Sequence, residues 1–179
     1  MKYFFLTADD DNPLPYITNL HEQLDVRKLN KQDAHKLKRV TSLNVEQESR
    51  EKTLYADVLT RPLFMVTRGV AEVMSYYDAT IDYKIAALFA LKAKVGKTYF
   101  IPIMDRIDCL AEGTKLNRDH SVIRHAVIDP QKTMGKAVFK LAGVENTYIV
   151  ARLDFAESLL RRRAVGLKFE EIALKARGK

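Results

Sequence analysis

The chain has only one cysteine, Cys109, among 179 residues, so an intramolecular disulfide is excluded. A chain of this length buries roughly 70% of the surface that its unfolded form exposes, so it needs neither a disulfide nor a metal to fold. A single cysteine is typical of proteins kept in a reducing compartment. We therefore expect one domain over residues 1–179 and a cytoplasmic location.

No apolar run approaches the roughly 18 residues that a membrane-spanning helix requires. The apolar stretch at the start covers only residues 3–6, and Asp9, Asp10 and Asp11 follow where a signal peptide would have a cleavage site of small residues. We interpret this start as a strand of the fold and expect no membrane partner.

Motifs that carry chemistry are scarce. With seven glycines, the chain has no phosphate-binding glycine loop, no dinucleotide fingerprint and no nucleophile elbow. His120 and His125 are five residues apart, a poor spacing for zinc ligands. Residues 9–12 are acidic but lack the later glycine and glutamate of a calcium loop. Cys109 has no adjacent histidine and is interpreted as a small buried group. We expect no catalytic residue, no metal and no cofactor.

Positive charge is the main global signal, since the net charge is +7. Two internal clusters and the tail 175–179 are rich in lysine and arginine. We predict that this basic tail is flexible. Such clusters bind acidic partners or nucleic acid, or they simply solvate a helix end. The candidate partner-binding residues are Arg27, Lys28, Lys31, Lys36, Lys38, Arg39, Arg161, Arg162 and Arg163.

The last quarter of the chain reads as strand, turn, strand, helix, strand. Apolar runs at 138–141 and 147–150 are rich in residues that favour strands. Residues 153–160 then place apolar side chains three and four apart, which is typical of a helix. Gly166 provides a left-handed stop, and a new apolar pattern begins at Leu167.

The central part predicts a similar order. Residues 68–77 have a helical apolar stripe, with Thr67 in the position of an N-cap. The apolar runs 85–94 and 97–104, joined by Val95-Gly96, favour a hairpin, although a buried helix over 85–91 has the same pattern.

The remaining segments are less regular. Residues 25–52 are polar and predict an exposed, partly extended segment, 105–119 predicts a loop, and 122–128 predicts a strand. Together these patterns predict an α+β fold, a mostly antiparallel sheet with two or more packed helices in a single domain.

Several segments together resemble a known family. They are the first strand Lys2-Tyr3-Phe4-Phe5-Leu6, the run Pro62-Leu63-Phe64-Met65-Val66, the strand at 99–104 with its Ile107-Asp108 step, and the closing unit from Val138 to Ile172. This pattern resembles the immunity-type proteins of bacterial polymorphic toxin systems, many of which belong to a domain family of unknown function.

The resemblance implies a non-catalytic cytoplasmic protein that binds and neutralises a cognate toxin. The basic clusters would then meet an acidic surface of the toxin, and exposed tyrosines such as Tyr16 and Tyr76 would act as anchors. A homo-oligomer through an exposed edge strand stays open. The alternative is a basic nucleic-acid-binding protein, although no RNA-binding signature or helix-turn-helix is present. An enzyme without a recognisable motif ranks third.

Overall fold

The computed structural model describes residues 1–11, 13–46 and 53–176. Its strands in chain order are β1 (Tyr3–Ala8), β2 (Tyr16–Ile17), β3 (Val40–Glu46), β4 (Val58–Leu59), β5 (Met65–Val66), β6 (Asp82–Ala90), β7 (Val95–Ile103), β8 (Arg106–Ile107), β9 (Lys115–Leu116), β10 (Ile123–His125), β11 (Val127–Ile128), β12 (Val138–Leu141), β13 (Ile149–Arg152), β14 (Leu167–Glu171) and β15 (Ala173–Leu174). The α-helices are α1 (Leu20–Gln23), α2 (Arg68–Tyr77) and α3 (Leu153–Arg161). None of these helices is long and apolar enough to cross a membrane.

Two sheets form the framework. One has six strands in the order β2-β3-β6-β7-β5-β4, and the other has five in the order β14-β1-β13-β12-β8. Most neighbours are antiparallel, and the parallel pairs are β3 with β6, β8 with β12, and β11 with β15. The prediction of an α+β fold with mostly antiparallel strands is therefore confirmed, but the strands form several sheets instead of one. The described residues contain three α-helices, of which α1 has only four residues.

Three groups of buried side chains hold these layers together. The first lies on one face of the six-stranded sheet, under a cover of residues 20–37. The second lies where α2 and α3 meet both sheets, and Phe155 and Met74 are fully buried there. The third lies on the opposite face of the five-stranded sheet and contains Cys109 and Phe139. Both faces of the five-stranded sheet are thus covered.

The C-terminal unit and the first strand follow the sequence prediction closely. β12, β13, α3 and β14 occur in the predicted order, and Gly166 has the left-handed φ of +69° before β14. β1 lies between β13 and β14, so the start of the chain completes a sheet built mainly from its end.

α2 begins and ends where the apolar stripe predicts, and Thr67 is its N-cap residue. The Thr67 side chain does not cap the helix, however. Its hydroxyl donates instead to Asp57 Oδ1 at 2.6 Å, and the Thr67 backbone N–H donates to the Asp57 carbonyl. The threonine therefore ties the helix start to the segment before β4.

β6 and β7 form the predicted hairpin, and the helical alternative for 85–91 is wrong. The position of the turn also differs from the prediction. Val95 and Gly96 pair with Ala90 and Phe89, so the turn occupies residues 91–94. It closes through Lys94, whose φ is +51°.

The polar segment 25–52 is more integrated than the sequence predicts. β3 lies in the sheet beside β6, and Leu43 and Val45 are buried. Residues 47–52 of this segment and 177–179 of the predicted flexible tail lie outside the described residues. The predicted loop at 105–119 contains β8 and β9, and the predicted strand at 122–128 divides into β10 and β11.

Candidate protein-binding surface

Most cations of the first predicted cluster are paired within the chain. Arg27 Nε lies 3.0 Å from Asp25, and Lys28 Nζ lies 3.7 Å from the same carboxylate. Lys36 Nζ lies 2.7 Å from Asp33. The hydrogen bonds from Arg27 and Lys36 lower the pKa of the Asp25 and Asp33 carboxyls, respectively. The charge of this segment is therefore partly neutralised at short range.

Lys31 extends this pairing to a distant part of the chain. Its Nζ lies 2.6 Å from Asp105, and Lys136 Nζ lies 3.2 Å from that carboxylate and also hydrogen-bonds Asp78. The hydrogen bond from Lys31 lowers the pKa of Asp105. Burial raises the pKa of Asp78, but the hydrogen bonds from Lys136 and Thr80 outweigh it, so the net shift is downward. These four side chains, alternately positive and negative, connect residues 20–37, which cover the six-stranded sheet, to the rest of the molecule.

The second cluster lies at the exposed end of α3. Arg161 reaches Glu157 at 3.5 Å, and Arg162 Nη1 donates to the Ser158 carbonyl at 3.2 Å. Arg163 adopts a left-handed φ of +57° as the helix ends.

In the first cluster, Lys38 and Arg39 make no ion pair with any described residue. The assignment of these cations to a partner stays a prediction.

An uncovered face of the six-stranded sheet is the most distinctive surface of the described chain. Side chains alternate across β3, β6 and β7, and one set packs into the core. The other set forms three cross-strand rows, Val40–Ile85–Phe100, Ser42–Ala87–Thr98 and Asn44–Phe89–Gly96. We call these nine residues the open sheet face.

The open sheet face carries no charged side chain, and much of it is apolar. Val40 is 49% exposed and Phe89 is 44% exposed, and Leu91 in the adjacent turn is 78% exposed. A sheet with one buried face normally turns polar side chains to water on the other. β6 instead has apolar residues on both faces, and contiguous exposed apolar surface of this kind marks interaction sites.

Two exposed tyrosines flank this face. Tyr16 on β2 pairs with Glu46, one row beyond Asn44, and is 67% exposed. Tyr76 on α2 is 79% exposed and lines a groove of about 670 Å³ between the helix and the sheet. Arg39, Arg68, Glu72 and Asp82 line the same groove. Both tyrosines that the sequence suggested as anchors therefore border one continuous surface.

α2 covers the neighbouring part of the same sheet face and fixes its boundary. Tyr83 Oη donates to the Ala71 carbonyl at 2.9 Å and lies 3.1 Å from Ser75 Oγ. The Tyr83 and Phe100 rings meet edge to face at 6.3 Å. Burial raises the pKa of Tyr83. The helix is thus held rigidly at one side of the open sheet face.

The residues considered for other chemistry are dispersed. His120 and His125 are exposed on or beside the β9–β10 hairpin, and the described residues contain no group of three potential metal ligands. Cys109 is fully buried, and burial raises the pKa of its thiol to about 11. In the acidic turn, Lys168 Nζ lies 2.8 Å from Asp9 and 2.9 Å from Asp11. An ammonium group therefore occupies the position next to these carboxylates.

Lys140 is an unusual titratable group that sequence reasoning missed. It is on β12 between Ile149 and Arg106, and burial together with the Arg106 charge lowers its pKa to about 8. The available signal was a single lysine inside an apolar strand, Val138-Phe139-Lys140-Leu141. No described acid pairs with its ammonium group.

In comparisons with known proteins, no family model and no curated sequence matches this chain.

Proposed function

We propose that this protein is an immunity protein, which binds and neutralises a cognate bacterial toxin without catalysing a reaction. The observation that carries the proposal is the open sheet face, an uncharged and largely apolar surface exposed on a well-packed sheet. Such a surface lowers the solubility of a protein unless a partner covers it. The sequence resemblance to immunity-type proteins supplies the identity of the partner.

The surroundings of the face suit a protein partner. Exposed Tyr16 and Tyr76 provide large, rigid contact area at its two ends, and tyrosine and arginine are the residue types that dominate binding energy at interfaces. Lys38 and Arg39 precede β3 and are free of ion pairs within the described chain. Their charge would increase the rate of encounter with an acidic toxin surface.

The test is co-expression with the toxin domains encoded beside the gene. We expect protection of the cells and a stable complex of the two purified proteins. Phe89→Asp should weaken that complex about 100-fold, because it replaces the largest exposed apolar side chain of the face by a charge. Met134→Asp is the matched control, since Met134 is also an exposed apolar residue but lies between β11 and β12, outside the six-stranded sheet. Absence of both protection and complex formation would refute the proposal.

The nucleic-acid alternative has less structural support. Its motivation is the net charge of +7, but Arg27, Lys28, Lys31 and Lys36 are all engaged with carboxylates of the chain. A mobility shift with DNA or RNA at about 50 mM salt, where phosphate contacts are least screened, tests this alternative directly.

A further inference from the structure

The outer edge of β14 is an unpaired sheet edge of defined length. β14 lies at the end of the five-stranded sheet with only β1 beside it. The Ile172 N–H donates to the Tyr3 carbonyl, and the Asp9 N–H donates to the Gly166 carbonyl, both at 2.9 Å. Even-numbered residues of β14 therefore direct their backbone groups toward β1, and odd-numbered residues direct theirs outward.

Three outward residues in succession have no backbone partner. Leu167, Phe169 and Glu171 each present an N–H and a C=O group away from β1, and no other described residue hydrogen-bonds any of them. An unpaired row of this kind is a template for another strand. We call this row the edge slot.

The slot is closed at its first end by Asp57. The Asp57 N–H donates to the Val165 carbonyl at 2.9 Å, and the Val165 N–H donates to Asp57 Oδ2 at 2.8 Å. Val165 is the outward residue immediately before the slot, and both of its backbone groups are thereby satisfied.

The slot is closed at its second end by β11. β15 pairs with β11 in parallel, with Ala173 opposite Val127, and the Lys175 N–H donates to the Ile128 carbonyl at 2.9 Å. Internal hydrogen bonds therefore satisfy the outward backbone groups before and after the slot. The outward backbone groups of the three residues between them stay unpaired.

Asp57 and β11, which close the two ends of the slot, exclude a second copy of the chain as its occupant. A two-fold pairing of β14 centred on Phe169 would place Val165 opposite Ala173 of the copy, so that Asp57 and β11 would collide. Pairings centred on Lys168 or Glu170 would place like charges directly opposite each other, which is destabilising. The slot therefore suits a short segment that is not embedded in the same framework.

We propose that the edge slot binds an extended segment of a partner protein, about five residues long, as an added sixth strand of this sheet. One set of alternate side chains of that segment would lie beside half-buried Leu167 and Phe169, so it should be apolar. The other set would face exposed Lys168 and Glu170.

A cleft on the face of the sheet that bears Lys168 and Glu170 supports an extended peptide segment as the occupant. It has a volume of about 190 Å³ between β10 and β14 and is lined by Phe5, Ile123, Tyr148 and Glu170, with Arg124 and His125 at its wall. One side chain of the added strand would enter this cleft. The edge slot belongs to the five-stranded sheet, whereas the open sheet face belongs to the six-stranded sheet. This inference therefore does not rest on the proposed function.

The test uses random dodecapeptides displayed on phage and selected on the immobilised full chain. We expect enriched sequences with alternating apolar residues, and a synthetic copy that binds wild-type protein. Glu171→Pro should weaken this binding at least tenfold, because proline removes an outward N–H that has no internal partner. Glu171→Ala, which loses the same ion pair with Lys2 but keeps the N–H, should bind as the wild type does.

Amide hydrogen exchange on the wild-type chain provides a readout that needs no variant. In the free protein the amides of Leu167, Phe169 and Glu171 should exchange at least tenfold faster than those of Lys168 and Glu170, and the selected peptide should slow all three. The inference is overturned if no peptide is enriched, if the peptide binds Glu171→Pro with unchanged affinity, or if the three amides are already protected in the free chain.

Discussion

Tyr77 Oη lies 2.7 Å from Ser158 Oγ and so joins α2 to α3 across the boundary of the two sheets. The same hydroxyl donates to the Asp154 carbonyl at 2.8 Å, and the Tyr77 ring meets Phe155 edge to face at 5.4 Å. One side chain thus links the helix that bounds the open sheet face to the helix that precedes β14.

Tyr77→Phe should therefore destabilise the protein by about 1 kcal/mol, because it removes the hydroxyl contacts and keeps the ring. The measurement is the free energy of unfolding in urea. Tyr76→Phe is the control, since Tyr76 is exposed one residue earlier on the same helix, and it should change stability by less than about 0.5 kcal/mol. Equal effects of the two substitutions would contradict a linking role for Tyr77.

Thr41→Val should stabilise the protein by about 1 kcal/mol. Thr41 is 3% exposed, and its hydroxyl has no hydrogen-bond partner among the described residues. Valine has nearly the same shape without the cost of a buried, unpaired polar group. The thermal midpoint checks the direction of the change. Thr98→Val on the exposed side of the same sheet should leave that midpoint almost unchanged, and a loss of stability in Thr41→Val would show that its hydroxyl is satisfied.

Lys140 should make stability depend on pH above neutrality. Its folded-state pKa of about 8 lies below the ordinary value of 10.5, so the unfolded state binds more protons between these values. Stability should therefore rise with pH across this window, and the cost of the buried ammonium should be largest below pH 8. Lys140→Met removes that cost and should stabilise the protein by at most about 3 kcal/mol at pH 7.

The difference between wild type and Lys140→Met should shrink as the pH approaches 10.5. Urea unfolding of both proteins at pH 7 and pH 10 measures it, and the other titrating groups cancel in the comparison. A difference that stays constant with pH would show that Lys140 titrates as an ordinary exposed lysine.

Gly166→Ala should be far more costly than Gly135→Ala. Both glycines have a φ near +70°, so both substitutions incur about 1–2 kcal/mol of left-handed backbone strain. An added Cβ at Gly166 would also lie 2.4 Å from the Ala56 Cβ, whereas at Gly135 nothing lies within 4 Å. The difference between the two losses of unfolding free energy measures the steric part alone. Similar losses would mean that residues 54–56 can move away from β14.

The sequence predicted elements best where local pattern and tertiary packing agree. α2 and α3 have clear helical stripes, and Val70, Met74, Phe155 and Leu159 are buried as those stripes require. The turn between β6 and β7 was misplaced because Gly96 looks like a turn residue. In the structure it lies within the strand, where an added Cβ would meet the Phe89 ring at 3.8 Å.

The candidate site was only partly visible in the sequence. Tyr16 and Tyr76 could be suggested as anchors, but the surface between them requires the cross-strand register of β3, β6 and β7, which are brought together from distant parts of the chain. The ion pairs of the basic cluster 27–39 were hidden in the sequence for a related reason. Counting neighbours in sequence omits Asp105, which pairs with Lys31 only in the fold.

The central position of β1 has a consequence for synthesis in the cell. Its two neighbours, β13 and β14, begin 141 and 159 residues after Ala8, so the ribosome needs roughly 10 to 30 seconds to deliver them. Until then the apolar side chains of β1 lack their native neighbours and depend on chaperones or on transient contacts. β1 therefore stays without either sheet neighbour until these late strands are made, and loss of residues 167–171 leaves it without one flank.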